Sequence, residues 1–413
     1  MKYLSSLRAG PRPADEFAKR VHRVVQRGNC SGCGGCALLS SRVTMRIGDE
    51  DGFLRPDVSP AGPRLDSERD FSKVCPGVSL SAPRDARPLN HPEFGGYHAA
   101  WRAWARDDTV RHSGSSGGVL TAISGWLLTS SNVSSVAAST ADPVAPTRTR
   151  SVDATTVEEI LLAAGSRYAP VENVTTWAAR SDAALVGKPC EISAARKLSQ
   201  LPGADDAPPL LSFFCAGTPS QLATDQLVIK LGAAPAEVTS LRYRGNGWPG
   251  DFTVSSEDGD TQAMSYKESW GGNLGRSLQW RCKTCVDGTG GDADISVGDY
   301  WKVDQNGYPD FSEGAGESVM IARTAKGLRL VLEAEAAGVI EMHPIHLDAV
   351  AGIQPLQVQR RRLLSGRLAG RLMSGKPGPR YRGYGLAGHA FRHPIQNLRA
   401  SVGTWLRSRS GGT

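Results

Sequence analysis

Two neighbouring stretches decide the fold: AALVGKPCEISAARKLSQ (183–200) and PLLSFFCAGTPSQLATDQLVIKLG (209–232). Each opens with a short apolar run, AALVG or PLLSFF, that reads as a buried strand. Each continues through a loop of small residues and proline into an amphipathic segment of helical length, EISAARKLSQ or QLATDQLVIKLG. A strand–loop–helix unit used twice predicts an α/β fold, because parallel neighbours need a crossover helix. Cys190 and Cys215 fall just beyond the carboxyl ends of the two predicted strands, the edge at which ligands collect in such sheets.

Outward from this pair, VLTAISGWLL (119–128) and TVEEILLAAG (156–165) read as helices, the second stopping at Gly165. DADISVGDYW (292–301) contains a strand flanked by Asp294 and Asp299. Residues 129–155 are rich in Ser, Thr, Ala and Val and show no period that assigns them. The predicted organisation is an extension over 1–25, a compact Cys/Gly-rich module over 26–92 and a core over 93–182 and 183–348. A basic tail over 349–413 completes it.

The chain has 413 residues, 40% hydrophobic and 22% charged, enough for sizeable cores in roughly two or three domains. No apolar run approaches the roughly 18–20 residues of a membrane-spanning helix, which excludes an integral α-helical membrane protein. The opening MKYLSSLRAGPRPADEF has no apolar core, so a cytoplasmic location with reduced thiols is expected. The net charge of +7 is unevenly placed. Eleven Arg and one Lys follow Asp348 with no further acid, leaving a mildly acidic body. A nucleic-acid binder is therefore not the first reading of the high isoelectric point.

The eight cysteines carry the strongest signal. Cys30, Cys33 and Cys36 lie in NCSGCGGC (29–36) and Cys75 in VCPG (74–77). C-x₂-C-x₂-C with a distant Cys-Pro resembles one cluster-binding half of a bacterial ferredoxin, the glycines letting backbone amides approach sulfur. Four thiolates also suit zinc. Cys190, Cys215, Cys282 and Cys285 form a second set, anchored by RCKTC (281–285). On spacing alone a cluster, zinc and buried structural thiols all remain open for this set.

The chain resembles the beta-subunit family of coenzyme F-420 hydrogenase/dehydrogenase, which also includes plant-type 7-hydroxymethyl chlorophyll a reductase. The resemblance rests on SGSSGGVLTAI (113–123), AGSRYAPV (164–171), ALVGKPCEISAARKL (184–198), FFCAGTPS (213–220), YRGNGWPGDF (243–252) and RCKTCVDGTGGDADISVGDYW (281–301), in the family's order. It implies a mixed α/β iron–sulfur flavoprotein oxidoreductase with FAD and two [4Fe–4S] clusters, the second held by Cys190, Cys215, Cys282 and Cys285. The redox partner it implies is coenzyme F-420, with a ferredoxin-dependent reduction of a small organic substrate as the alternative.

The Ser/Gly loop 112–118 reads as a phosphate cradle, since its amides and the following helix N-terminus favour an anion. In the family context Ser113, Ser115, Ser116, Gly117 and Gly118 are expected at the FAD pyrophosphate, with Arg167 and Tyr168 as further contacts. Lys188 reads as an offset to cluster charge, as a substrate contact or as a solvated lysine, and Asp294 and Asp299 as shapers of the site or turn caps. His112 shows no metal-ligand spacing with a cysteine. The basic tail, with leucines interleaved in RRRLLSGRLAGRLM (360–373), suits either docking on the chain's own acidic body or peripheral contact with an anionic membrane. The rival from another class is a zinc scaffold presenting a nucleic-acid-binding tail.

Overall fold

The strand Ala183–Gly187 runs parallel to Leu210–Phe213, with Leu185 opposite Leu210 and Gly187 opposite Ser212. They lie in the middle of an eight-stranded mixed sheet in a computed structural model that describes residues 15–130, 132–178, 180, 182–202, 208–301, 312 and 314–409. In chain order its strands are β1 (Ala99–Ala105), β2 (Ser135–Ala141), β3 (Thr149–Ala154), β4 (Ala183–Gly187), β5 (Leu210–Phe213), β6 (Ile295–Asp299), β7 (Ser318–Ala322) and β8 (Ile340–Pro344). Their spatial order is β8-β1-β7-β6-β5-β4-β2-β3. The pairs β2–β4, β4–β5 and β5–β6 are parallel, and the flanking pairs are antiparallel. β2 and β3 occupy the stretch the sequence left unassigned. Their small side chains carry little hydrophobic contrast between faces, so alternation does not show.

Helices cover both faces because the central strands are apolar on both. Ala184, Leu211 and Ile295 pack with Val119, Ile123 and Leu127 of the helix Val119–Thr129 and with Leu330 and Val331 of Ala325–Ala336. On the other face Leu185 and Leu210 pack with Ile192 and Ala195 of the helix Pro189–Leu198. Complete burial of a leucine or isoleucine contributes roughly 1.5–3 kcal/mol. A three-stranded antiparallel sheet, Val238–Arg242, Phe252–Ser256 and Thr261–Met264, stands beside the helix Gln221–Lys230.

The first cysteine group has its own small core. The helix Glu16–Gln26 is capped by Asp15, which accepts from the Ala18 amide, and sends Phe17 and Val21 against Leu39, Val43, Phe71 and Val74. Buried Arg42 ties this core through Glu68 at 3.0 Å and Asp15 at 2.6 Å.

The basic segment after Asp348 is folded and docked. The helices Pro355–Arg362, Leu364–Met373, Leu386–Arg392 and Pro394–Arg409 bury Arg360, Arg361 and Arg371, and Arg362 pairs with Glu93 at 2.7 Å. The strand Arg380–Arg382 pairs with Ser79–Ser81 of the cysteine module. At Gly366 an added Cβ would meet the Asn397 carbonyl, so glycine sets the close approach of two of these helices. Among the described residues, no helix is long and apolar enough to cross a membrane.

Candidate redox site

Cys30, Cys33 and Cys36 lie on one glycine-rich loop, and Cys75 ends the short helix Phe71–Val74, whose Phe71 carbonyl accepts the Cys75 amide. The four thiols are close enough to perturb one another: Cys36 feels Cys33, Cys30 and Cys75. Burial pushes Cys33 up to about 11 and Cys75 up to about 12. The Gly32 amide donates to Cys30 Sγ at 3.4 Å, and Gly32 holds a positive φ of 68° that a side chain would strain. Gly35 packs against Ala194, which seats the loop on the helix that carries Cys190.

The second group converges from three places. Cys190 enters in the first turn of Pro189–Leu198, Cys215 follows β5, and Cys282 and Cys285 lie on and after the short helix Trp280–Lys283. Cys215 feels Cys282 and Cys285, and burial pushes it up to about 12. Burial also raises Cys190, which feels both Cys33 and Cys215 and therefore stands between the two groups. The Thr218 amide donates to Cys282 Sγ at 3.3 Å. Lys188 is not a solvated lysine. It is buried, pairs with Glu191 at 3.0 Å and donates to the Val171 carbonyl.

Arg281 faces both groups. It is 2% exposed, its Nη2 donates to the Pro76 carbonyl, and its Nε and Nη1 have no hydrogen-bond partner. Burial opposes its charge, but Tyr381 and the thiols of Cys285, Cys190 and Cys282 outweigh that and raise its pKa. An orphaned buried cation between two sets of thiols calls for a compact anionic group. Among the described residues no three His, Cys, Asp or Glu side chains close on a point as one metal ion requires. Two sets of four cysteines with amide–sulfur bonds at Cys30 and Cys282 are a donor set that suits [4Fe–4S] clusters.

The tail belongs to this site. Arg360 donates to the carbonyls of Cys215 at 3.0 Å, Ala216 at 3.1 Å and Cys282 at 3.1 Å, and Gln357 donates to Cys215. Tyr381 donates to the Thr284 carbonyl at 2.6 Å. Sequence reasoning set the tail apart from the redox core, because a run of arginines reads as solvated charge when its acceptors are distant carbonyls.

A cavity of about 360 Å³ opens beside Cys215. Its wall includes Ser115, Ser116, Gly118 and the start of the helix Val119–Thr129, whose first amides have no acceptor within the helix. Ser115 accepts from Ser166 at 2.8 Å, and Ser116 donates to the Glu317 carbonyl at 2.6 Å. Gly117 has another task. Its amide donates to Ser318, and a Cβ there would lie 2.7 Å from the Ala103 carbonyl. Ser113 gives its carbonyl to Arg242, and that of His112 accepts from Gly247. Arg167 reaches the cavity but donates to Thr149 and to the carbonyls of Leu241, Pro146 and Arg148. Tyr168 packs on Trp270 at 4.7 Å along the wall. Asp299 lines the cavity and pairs with Arg244 at 2.7 Å, whereas Asp294 is a fastener bonded to Arg196, Thr324 and the Leu210 amide. Arg244 was missed at the level of sequence. It is buried with its guanidinium over Trp248, Tyr266 and Trp301, and its Nη2 has no partner. It stands inside YRGNGWPGDF, so the motif was visible while the residue's place was not.

Comparison with known proteins settles the relationship. The family models for the N-terminal and C-terminal parts of the coenzyme F420 hydrogenase/dehydrogenase beta subunit match residues 100–177 and 181–348. The chain belongs to this family. The coenzyme F420 hydrogenase subunit beta of Methanococcus voltae is 29% identical over 302 residues, covering 69% of this chain and 99% of that one. A chain in a xenon-derivatised structure of the F420-reducing [NiFe] hydrogenase complex from Methanosarcina barkeri shares the fold. Its TM-score is 0.54 at 22% identity, over 71% of this chain and 98% of that chain. Membership makes the protein an oxidoreductase and supports an iron–sulfur role. The cysteine module and the docked basic segment lie largely outside the matched family models.

Proposed function

We propose that this chain is an iron–sulfur flavoprotein that passes electrons between two [4Fe–4S] clusters and FAD and exchanges hydride with coenzyme F-420. The observation that supports this reading most is the position of Cys215, in the wall of the same cavity as Ser115, Ser116 and the helix N-terminus. Cys30, Cys33, Cys36 and Cys75 would hold the first cluster, and Cys190, Cys215, Cys282 and Cys285 the second. The amides at Gly118 and the first turn of Val119–Thr129, with the hydroxyls of Ser115 and Ser116, suit the pyrophosphate of FAD.

FAD supplies the interconversion of hydride with single electrons, which clusters alone do not perform. The chain's own residues set the conditions. Arg281 offsets negative charge between the thiol groups, and the Lys188–Glu191 pair closes the wall near Cys190. Trp270, Trp301 and Tyr266 line the cavity with apolar rings that exclude water. Gly117 and Ser113 act by shaping the loop rather than by facing the cavity. The docked segment holds the carbonyls of the Cys215 and Cys282 loops. We place the protein in the cytoplasm, where its thiols stay reduced.

Anaerobic purification with iron, sulfide and flavin analysis tests the reading. About eight irons and one flavin per chain are expected, with reduction of the flavin by reduced coenzyme F-420. Reduction by ferredoxin instead, followed by turnover of an organic substrate, would move the assignment to the reductase branch. A colourless, zinc-containing protein would overturn it.

A further inference from the structure

The C-terminal helix Pro394–Arg409 presents a second face that no described residue covers. Its buried residues, Asn397, Thr404 and Ser408, point into the body. On the opposite side Ile395, Leu398, Val402 and Leu406 are 66%, 66%, 45% and 55% exposed. At 100° per residue these four positions fall within a narrow arc, an apolar stripe about 17 Å long. Phe391, 87% exposed at the end of the preceding helix, extends it, and Leu372 and Met373 stand exposed on the helix packed beside it. Isolated exposed apolar residues are ordinary, but four aligned on one helix face, with three more exposed on neighbouring helices, form a contact surface.

Charge identifies the contact. Arg399 and Arg409 are exposed alongside the stripe and Arg392 just before it, and no acidic residue occurs anywhere after Asp348. An apolar stripe whose only charged neighbours on its own helix are arginines is the pattern of a helix lying in the plane of an anionic bilayer, its apolar face among acyl chains and its guanidinium groups among headgroups. The segment that carries the stripe supplies no carboxylate to a rim of both signs, as most protein interfaces have. The stripe lies beyond residue 348, outside both matched family models.

We infer that the C-terminal helix seats the protein on an anionic membrane surface through Phe391, Ile395, Leu398, Val402 and Leu406. The polar residues between them and the buried opposite face exclude a spanning helix, so the contact is peripheral. The inference is independent of the redox reading, because no residue in the stripe touches the cysteines or the cavity.

The test is co-sedimentation of the full chain with vesicles of phosphatidylcholine alone and with one part in three phosphatidylglycerol. Binding is expected on the anionic vesicles, weakened about tenfold by raising salt and at least about tenfold by Ile395→Glu with Leu398→Glu. Unchanged far-ultraviolet circular dichroism and cofactor absorption show that the double variant is folded. Should it fail to fold, Phe391→Ser replaces it with the same expected loss of binding. Absence of binding to anionic vesicles overturns the inference. So does binding that survives these substitutions, which would leave charge alone responsible. A dimer in lipid-free solution that the double variant dissociates would assign the stripe to a second copy of the chain and overturn it as well.

Discussion

Arg281 donates to the main-chain carbonyl of Pro76 at 3.3 Å, so the residue before Cys282 is tied to the residue after Cys75. With the Gln279 amide, which donates to the Ser31 carbonyl at 3.1 Å, this bond ties the segment that carries Cys282 to the module that carries Cys30 and Cys75. The rest of the guanidinium is buried with Nε and Nη1 unpaired, beside thiols of both groups. A cation so placed has two consequences: it favours added electrons nearby, and it is costly when the anionic charge is removed.

Arg281→Gln tests the first consequence. Loss of the positive charge should lower the reduction potential of at least one cluster by on the order of 60 mV, the one-electron equivalent of a tenfold change in equilibrium. A redox titration followed by electron paramagnetic resonance reads this directly. Unchanged potentials at full iron content would show that Arg281 serves only to fasten the Pro76 loop.

Cys285→Ser separates the two groups. The first group has its own core of Phe17, Val21, Leu39, Phe71 and Val74 and its own four thiols. The variant should lose about half its iron and keep the spectrum of the first cluster. Cys190→Ser should disturb both, because the helix that carries Cys190 also packs through Ala194 against Gly35 of the first loop. Iron analysis of the two variants side by side checks the contrast.

Gly117→Val should release flavin for a reason the sequence does not show. A Cβ at this position lies 2.7 Å from the Ala103 carbonyl and 3.0 Å from Ser318, so the strain falls between the loop and the sheet. Overpacking of this kind costs about 1–3 kcal/mol. The melting temperature should therefore fall in flavin-free protein too. An effect confined to the flavin-bound form would restore direct phosphate contact at Gly117.

The strands and helices around Cys190 and Cys215 were legible because an apolar run of strand length followed by a helical period is a local signal. β2 and β3 were not, since Ser, Thr and Ala carry little contrast between faces. The cysteines announced themselves by spacing. Arg281, Arg244 and Arg360 did not, because their roles depend on acceptors and thiols brought close only by the fold. Gly117 and Arg167 were singled out for a ligand, yet their polar bonds go to the protein itself.

The clearest case is Arg360, and it yields the last prediction. Its fork reaches the carbonyls of Cys215, Ala216 and Cys282, the chain segments that deliver two thiols of the second group. Those carbonyls are held in place by a residue from the basic segment, and only a planar guanidinium spans them together. Arg360→Met keeps the apolar stem but withdraws three bonds, each unmet acceptor costing about 1–3 kcal/mol where water cannot replace the donor. The second cluster should then be lost to an iron chelator several-fold faster, while the first is unaffected. Arg360→Lys should recover part of the stability, since an ammonium can satisfy one or two of the carbonyls. Truncation at Asp348 should behave as a severe form of Arg360→Met, removing Tyr381 and Gln357 as well. If the truncated chain retains its second cluster with parental resistance to chelation, the docked arginines do not support the cysteine loops.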